Sequence, residues 1–330
     1  MALALAAIMT GAIAANGLTH DRTASIPGGI ASLEKVALGG VEQSLLIRGR
    51  HADNPVLLVL HGGPGMTQMY LAHRFQAPLE EDFVVVQWDR RGAGKSYRAD
   101  LPRGTLRTSR LLADAEELVP LLRRRFGGRR LLLMGHSWGS YLGVLLASRH
   151  PEDFAGYVGV GQMAARQIRE REMQSRFVAE RAEAAGDREA AAAAARPRGS
   201  LEPWLFAYGA EVHSQTSWLP MLGYGLGAPE YTFGDAIRLM RGLRSYQEQF
   251  VDDGPPSDLM DAVGALDVPA YFFIGRFDMV CPWQLAEEYF RRLRAPRKRW
   301  VWFEQSAHFP FLEEPARFAE EMRNVRNEVF

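Results

Sequence analysis

The chain has 330 residues, of which 47% are hydrophobic, which is enough for one buried core of roughly 220–230 residues with a smaller inserted unit. Its 39 basic and 39 acidic residues balance to a net charge of zero, so the composition gives no support for nucleic acid as a partner. Cys281 is the lone cysteine, which excludes an internal disulfide and a fold that depends on one.

The first 25 residues form a separate apolar segment. Residues 1–18 carry no charge, but this stretch is marginally short for a membrane-spanning helix and lacks the basic residues that begin a secretory signal. Membrane association or export through residues 1–18 fits this pattern, and so does a surface-docked helix in a cytoplasmic protein. The localisation therefore stays open, and the sequence does not indicate an oligomeric state.

Short apolar runs predict the strands of a sheet. Two strands are expected at 33–38 and 41–48, on either side of a Gly-Gly turn. Six further runs, continuous in the way typical of strands buried on both faces, lie at 55–60, 83–88, 130–134, 157–160, 268–274 and 299–303. Helical spacing is found at 109–126, 140–149, 284–293 and 313–327. This alternation predicts an α/β fold with a mostly parallel, doubly wound sheet.

Residues 162–261 interrupt the alternation. They are charged and aromatic, show no clear strand pattern, and include an alanine-rich segment at 189–196 that favours helix. We therefore predict a helical cap at 162–261, inserted into a core formed by residues 26–161 and 262–330.

The segment 135–139, GHSWG, matches the pattern G-x-S-x-G. It follows a predicted buried strand and precedes a predicted helix, which is the context in which a sharp turn exposes a serine hydroxyl at the carboxyl edge of a sheet. Ser137 is therefore the predicted nucleophile. The alternative is an ordinary tight turn with a surface serine.

A serine hydroxyl needs a base to remove its proton, and in folds with this motif the acid and then the histidine follow along the chain. Asp278 follows the predicted strand 268–274, and His308 follows the predicted strand 299–303. Both would lie with Ser137 at the carboxyl edge of the sheet. We expect His308 to accept the serine proton and Asp278 to orient its imidazole, and we interpret the other seven histidines as structural.

A second glycine-rich segment, HGGPG at 61–65, follows the strand predicted at 55–60. Glycines allow a backbone N–H to approach a substrate, so the N–H groups of Gly63 and Trp138 are the predicted oxyanion hole, with Gly62 contributing to substrate binding. The segment 89–96 has the wrong glycine spacing for a phosphate-binding loop and is expected to brace segment 61–65 through charge-assisted hydrogen bonds. No metal-ligand spacing or dinucleotide fingerprint is present, so we expect neither a metal nor a cofactor.

The predicted cap would cover the site and choose the substrate. Its aromatic side chains, Trp204 and Trp218 among them, would suit a small apolar group of the substrate. Its carboxylates, with Glu211 and Glu230 as the first candidates, would bind a free ammonium group. The alternative is that these glutamates are solvated surface residues and that some of the aromatics form the core of the cap.

Five motifs together resemble those of the proline iminopeptidases and their relatives: HGGPG at 61–65, WDRRGAGKS at 88–96, GHSWGS at 135–140, GRFD at 275–278 and SAH at 306–308. The resemblance covers most of the chain from about residue 50, except the cap. The chain departs from it at His136, where Gly is usual, and at Met66, where a further Gly is common. The resemblance implies an α/β-hydrolase fold, a helical cap, no cofactor and cleavage of N-terminal residues from short peptides.

The predicted function is therefore hydrolysis of an acyl bond through an acyl-enzyme, in a small molecule or short peptide, with a proline iminopeptidase-like aminopeptidase as the first choice. A carboxylesterase acting on small apolar esters is the alternative enzyme. A non-catalytic ligand receptor with the same fold is the alternative of another class. Epoxide hydrolases and haloalkane dehalogenases fit less well, because they carry aspartate where this chain has Ser137.

Overall fold

The computed structural model describes residues 23–165, 167–197, 199–215, 223–225, 227–255 and 257–330. The apolar segment 1–18, on which the predicted membrane association depends, and Trp218 lie outside the described residues. Within the described ranges, no helix is both long enough and apolar enough to cross a membrane.

One sheet forms the centre of the molecule. Its strands are β1 (Ile30–Leu38), β2 (Val41–Gly49), β3 (Val56–Leu60), β4 (Val84–Asp89), β5 (Leu131–His136), β6 (Phe154–Val160), β7 (Ala270–Gly275) and β8 (Lys298–Phe303). They lie side by side in the order β1-β2-β4-β3-β5-β6-β7-β8. The pairs β1–β2 and β2–β4 are antiparallel and all the others are parallel, which confirms the predicted mostly parallel sheet.

The helices flank the sheet or follow β6. They are α1 (Ala72–Phe75), α2 (Thr108–Arg125), α3 (Trp138–Arg149), α4 (Gln167–Ala185), α5 (Arg188–Ala194), α6 (Glu202–Ala207), α7 (Phe233–Gln249), α8 (Leu259–Ala262), α9 (Trp283–Arg292), α10 (Pro310–Glu313) and α11 (Pro315–Val329). The described residues between β6 and β7 contain α4 to α8 and none of the eight strands.

The continuous apolar runs have a simple physical cause in this arrangement. Successive side chains of a strand point to opposite faces, and here both faces are covered. Leu58 of β3 packs in a core with Leu111 of α2 and Leu142 of α3. Its neighbour Leu57 packs on the other face, in a core with Phe318 of α11. Burying each such side chain stabilises the fold by about 1.5–3 kcal/mol, and the sheet thereby becomes a rigid support for the loops at its carboxyl edge.

The segment after β6 divides into two parts. Helices α4, α5 and α6 enclose a small core of their own, formed by alanines, Val178 and Leu205. Helix α7 instead lies against the loop that follows β4, where a buried ion pair joins Asp235 to Lys95 at 2.6 Å. Helix α4 contacts the segment after β7, where Nε2 of Gln174 donates to the carbonyl oxygen of Val280 at 2.8 Å, so the two parts rest on different loops of the sheet.

Candidate active site

Ser137 occupies a sharp turn between β5 and α3. Its φ of 55° and ψ of −127° make it the single non-glycine residue with positive φ among the described residues, a conformation that costs on the order of 1–3 kcal/mol. The turn also needs glycine on both sides. A Cβ on Gly135 would lie 2.4 Å from the carbonyl oxygen of Gly139, and one on Gly139 would lie 2.1 Å from that of Leu60. The two glycines of the motif therefore allow α3 to pack closely against the ends of the strands.

Asp278 and His308 form a buried pair at the same edge of the sheet, with exposures of 0% and 3%. Nδ1 of His308 donates to Oδ2 of Asp278 at 2.9 Å. The other carboxylate oxygen accepts the N–H groups of Val280 and Cys281, each at 3.0 Å. Because Asp278 occupies Nδ1, Nε2 is the ring nitrogen of His308 left for proton transfer.

The charge around His308 favours its protonated form. Burial lowers the pKa of His308, but the charge and hydrogen bond of Asp278, with the charges of Glu211 and Glu313, outweigh burial and raise the pKa above its ordinary value. Gly161, with φ of 51°, leaves room for the pair, since a Cβ there would lie 2.9 Å from Nδ1 of His308. Sequence reasoning did not identify this glycine.

His136, where the motif departs from the proline iminopeptidases, supports His308 directly. Its Nε2 donates to the backbone carbonyl of His308 at 2.7 Å, its ring centre is 4.5 Å from that of His308, and Gln68 contacts its other ring nitrogen. Burial and the charge of His308 hold the pKa of His136 well below its ordinary value, so the ring is neutral. The departure is thus a packing and positioning feature of this chain.

The predicted oxyanion donors face the same space. Position 62 requires glycine, because the loop passes so close to Ser137 that a Cβ there would lie 2.9 Å from Cβ of Ser137. Gly63, with φ of 112°, and Trp138, the first residue of α3, both line a cavity together with Ser137. In the described part of the chain, neither the Gly63 N–H nor the Trp138 N–H donates to a protein acceptor. Both are free for a ligand oxygen.

The expected bracing of segment 61–65 by the loop after β4 is confirmed. Nη2 of Arg90 donates to the carbonyl oxygens of Gly62 and Pro64 at 3.0 and 2.9 Å. The next residue, Arg91, turns away and pairs with Asp114 at 2.8 Å.

The cavity beside Ser137 has a volume of about 1480 Å³ and extends under the first helices after β6. Its wall includes Glu170 of α4 and Cys281, whose Sγ lies 3.9 Å from Oγ of Ser137. Burial, with the charges of Glu170 and Asp278, raises the pKa of the Cys281 thiol well above its ordinary value, so the thiol is neutral and a poor competitor as nucleophile.

A comparison with known families agrees with this geometry. Residues 55–315 match the family described as alpha/beta hydrolase fold. The chain belongs to this family. It is a hydrolase with an α/β-hydrolase fold, as the sequence predicted.

The chain is similar to proteins named as a probable aminopeptidase and as a proline iminopeptidase, and it shares its fold with an esterase. The "Probable aminopeptidase YbaC" of Bacillus subtilis is 29% identical over 91% of this chain and 98% of that protein. A proline iminopeptidase of Clostridium botulinum is 26% identical over 82% of this chain and 89% of that protein, which confirms the resemblance. The crystal structure of the esterase RhEst1 from Rhodococcus sp. superposes with a TM-score of 0.62, at 21% identity, over 91% of this chain and 100% of that chain, and so shares the fold.

The residues of this α/β hydrolase that were predicted to bind substrate from the cap have different positions. Glu211 lies beside the buried pair: its backbone carbonyl accepts the N–H of His308 at 2.9 Å, and one oxygen of its largely buried carboxylate has no partner among the described residues. Burial raises the pKa of Glu211 to about 7. Although it is close to His308, it is not among the residues that line the cavity beside Ser137.

Glu230 and Trp204 are not among the residues that line the cavity beside Ser137. Glu230 is 3% exposed and accepts the hydroxyl of Thr23 at 3.1 Å, so its carboxylate bonds a segment that precedes β1. Trp204 packs against the small core of α4 to α6, because an aromatic ring on a short helix is buried most readily by its own neighbours. Four carboxylates line the cavity, namely Glu170, Glu172, Glu202 and Asp252, and sequence reasoning did not single out Glu170, whose pKa the charge of Asp278 helps to raise. The signal of Glu170 was its position, ten residues after the end of β6, the strand next to β5.

Proposed function

We propose that this α/β hydrolase is a serine aminopeptidase that removes the N-terminal residue from short peptides or amides. The buried pair of His308 and Asp278, at the sheet edge that carries Ser137, supports serine hydrolysis. The observation that carries the choice of an amine substrate is Glu170, a carboxylate on the wall of the cavity that holds Ser137.

The mechanism assigns one role to each group. His308 Nε2 takes the proton of the Ser137 hydroxyl as Oγ attacks the scissile carbonyl carbon. The oxygen of that carbonyl becomes negative and accepts the N–H groups of Gly63 and Trp138, each donor worth roughly 3 kcal/mol. The imidazolium, stabilised by Asp278, then gives its proton to the leaving amine. Water, deprotonated by the same imidazole, cleaves the acyl-enzyme and restores the serine.

An amine substrate fits the position and the environment of Glu170 on the cavity wall. Burial, together with the nearby charges of Asp278 and Asp258, raises the pKa of Glu170 to about 8, and no cation among the described residues offsets this rise. A substrate ammonium beside Glu170 would supply such a cation. Its contact with the carboxylate would in turn compensate for the hydration that the ammonium loses on entering the site. The names of the aminopeptidase and the proline iminopeptidase relatives support the same choice.

Two measurements test the proposal. A fluorophosphonate probe should label Ser137 in the wild-type protein and leave Ser137→Ala unlabelled, whereas no labelling would favour a non-catalytic receptor. A panel of aminoacyl anilides should then be hydrolysed roughly 10- to 150-fold more efficiently with a free amine than after N-acetylation, because acetylation removes a charge-assisted contact of about 1.5–3 kcal/mol. Equal kcat/KM on both members of each pair would overturn the aminopeptidase assignment.

A carboxylesterase is the second candidate, and the size of the cavity favours it. The volume of about 1480 Å³ exceeds what a single proline needs, and part of its wall is apolar, with Met163, Leu205 and Phe250. Such a wall suits a bulky acyl group. An esterase would prefer uncharged aryl esters over aminoacyl anilides by kcat/KM, even after correction for the greater reactivity of esters.

A further inference from the structure

Arg90 is fully buried behind the predicted oxyanion hole and contacts both chain segments that form it. From Nη2 it donates to the carbonyl oxygens of Gly62 and Pro64, and its backbone N–H donates to Nε2 of His61 at 3.3 Å. Its Cζ lies 5.0 Å from the ring centre of Trp138. One guanidinium thus touches the loop that carries the Gly63 N–H and the side chain of the residue that carries the other donor.

The contact with Gly62 matters because of peptide geometry. The carbonyl of Gly62 and the N–H of Gly63 belong to one planar peptide group, so the direction of the oxygen fixes the direction of the N–H. Neither glycine has a side chain that would restrict rotation of this peptide, and glycine populates both signs of φ. Hydrogen bonds to the Gly62 oxygen, from Arg90 and from Nδ1 of His61 at 2.9 Å, therefore hold the N–H in place.

The charge of Arg90 adds to this hold. A cation at a carbonyl oxygen polarises the peptide, which makes its N–H a stronger donor, and burial leaves the interaction little screened by water. Burial lowers the pKa of Arg90 to about 10, so the guanidinium stays charged at neutral pH. Its Nε and Nη1 have no hydrogen-bond partner among the described residues, so the bonds of the buried guanidinium are concentrated on segment 61–65 through Nη2.

We propose that Arg90 is a positioning residue of the oxyanion hole: it orients and polarises the Gly62–Gly63 peptide and fixes the position of that peptide relative to Trp138. This inference rests on the proposed serine hydrolysis. The oxyanion forms in the transition state and is absent from the bound substrate. Loss of Arg90 should therefore lower kcat more than it changes KM.

The chain offers a matched control in Arg91. This neighbour has the same side chain, lies in the same loop and is equally buried, at 1% exposure. Its guanidinium bonds Asp114 and the carbonyl oxygens of Leu38 and Gly39, away from segment 61–65. Arg91→Met should therefore destabilise the protein as Arg90→Met does, without reaching the oxyanion hole.

The experiment compares wild type, Arg90→Met, Arg90→Lys and Arg91→Met for thermal melting, kcat and KM on an aminoacyl anilide, and affinity for an aminoalkyl boronic acid, which forms a tetrahedral adduct with an active serine. Arg90→Met should lower kcat and boronate affinity in parallel by roughly 10- to 100-fold, with KM within about threefold. Arg90→Lys should restore part of both, and Arg91→Met should keep kcat within about threefold of wild type.

Three results would overturn the inference: a kcat for Arg90→Met equal to that of Arg91→Met, an unchanged boronate affinity, or a loss confined to KM. If Arg90→Met does not fold, Arg90→Gln, which is neutral but keeps a donor, is measured against the same criteria. Failure of the proposed serine hydrolysis looks different, because the wild-type protein itself would then neither react with a fluorophosphonate nor bind the boronate. If the protein is instead an esterase, the wild type reacts with the fluorophosphonate but prefers uncharged esters, and the same variants are compared on an aryl ester.

Discussion

Glu170→Gln is the sharpest test of amine recognition, because it removes a charge from the cavity wall and barely changes the shape of the side chain. Losing a charge-assisted contact with the substrate ammonium should lower kcat/KM on a free-amine substrate by roughly 10- to 150-fold, or about 1.5–3 kcal/mol. The N-acetylated substrate has no ammonium, so its hydrolysis should be unaffected by the substitution.

The pH dependence makes the test more specific. Burial, aided by the charges of Asp278 and Asp258, raises the pKa of Glu170 to about 8, and a peptide α-amino group also titrates near pH 8. The contact needs an ionised carboxylate and a protonated amine. Below about pH 7 at most a tenth of the carboxyl is ionised, and above about pH 9 at most a tenth of the amine is protonated. The ratio of wild-type to variant kcat/KM should therefore be largest near pH 8 and fall on both sides.

The assay measures kcat/KM between about pH 6.5 and 9.5 on an aminoacyl anilide and its N-acetyl derivative. Glu180→Gln is the matched control, since Glu180 lies on the same helix, α4, but is exposed. A ratio for Glu170→Gln that does not change with pH, or an equal loss on the acetylated substrate, would refute the role of Glu170.

Four further outcomes follow from the site. Ser137→Ala should lower kcat by up to about 10⁶-fold while leaving thermal melting unchanged, and His308→Ala should cost about as much and Asp278→Asn somewhat less; residual turnover of more than a small fraction would exclude these roles. Because the base must be neutral and the pKa of His308 is raised, kcat on an acetylated substrate should rise with pH through a midpoint above the ordinary value of about 6.5, and a flat profile from about pH 5 to 8 would contradict this. Gly62→Ala should lower kcat, measured at saturating substrate, because its Cβ would lie 2.9 Å from Cβ of Ser137. Removal of residues 1–18 should leave kcat unchanged, since β1 begins at Ile30.

Local patterns predicted the sheet and the residues at its carboxyl edge, and the reason is physical. A strand buried on both faces must be apolar throughout, so its ends are visible in the sequence. The turn at Ser137 needs glycine at fixed positions, which marks it equally well. Asp278 could be selected because it follows such a strand, β7, and His308 because it follows β8, a partly buried edge strand whose last four residues are apolar. The order of the strands was not encoded in this way, because it depends on contacts between distant segments.

The substrate-facing residues of the segment after β6 could not be selected from the sequence, because no local pattern marks them. Helix α4 carries charged residues all around its circumference, so no face is marked as the one toward the cavity. The direction of Glu170 is decided by how α4 packs on the sheet edge. Glu230 was a reasonable candidate by charge alone, but the chain turns it toward Thr23 instead.

The charges around the site are arranged in a way that suits acyl transfer whichever bond is cleaved. The cation of Arg90 lies behind the loop that would bind the developing oxyanion, and it contacts the carbonyl of Gly62 at 3.0 Å. The carboxylates lie on the side of the base: Asp278 bonds His308, and the charge of Glu211 also raises the pKa of that imidazole. Acyl transfer creates negative charge on the carbonyl oxygen and positive charge on the imidazole, so the fixed charges favour the transition state over the neutral ground state. Glu170 stands apart from this requirement, because neither developing charge needs it, and it is therefore the group in which substrate choice rather than chemistry should be sought.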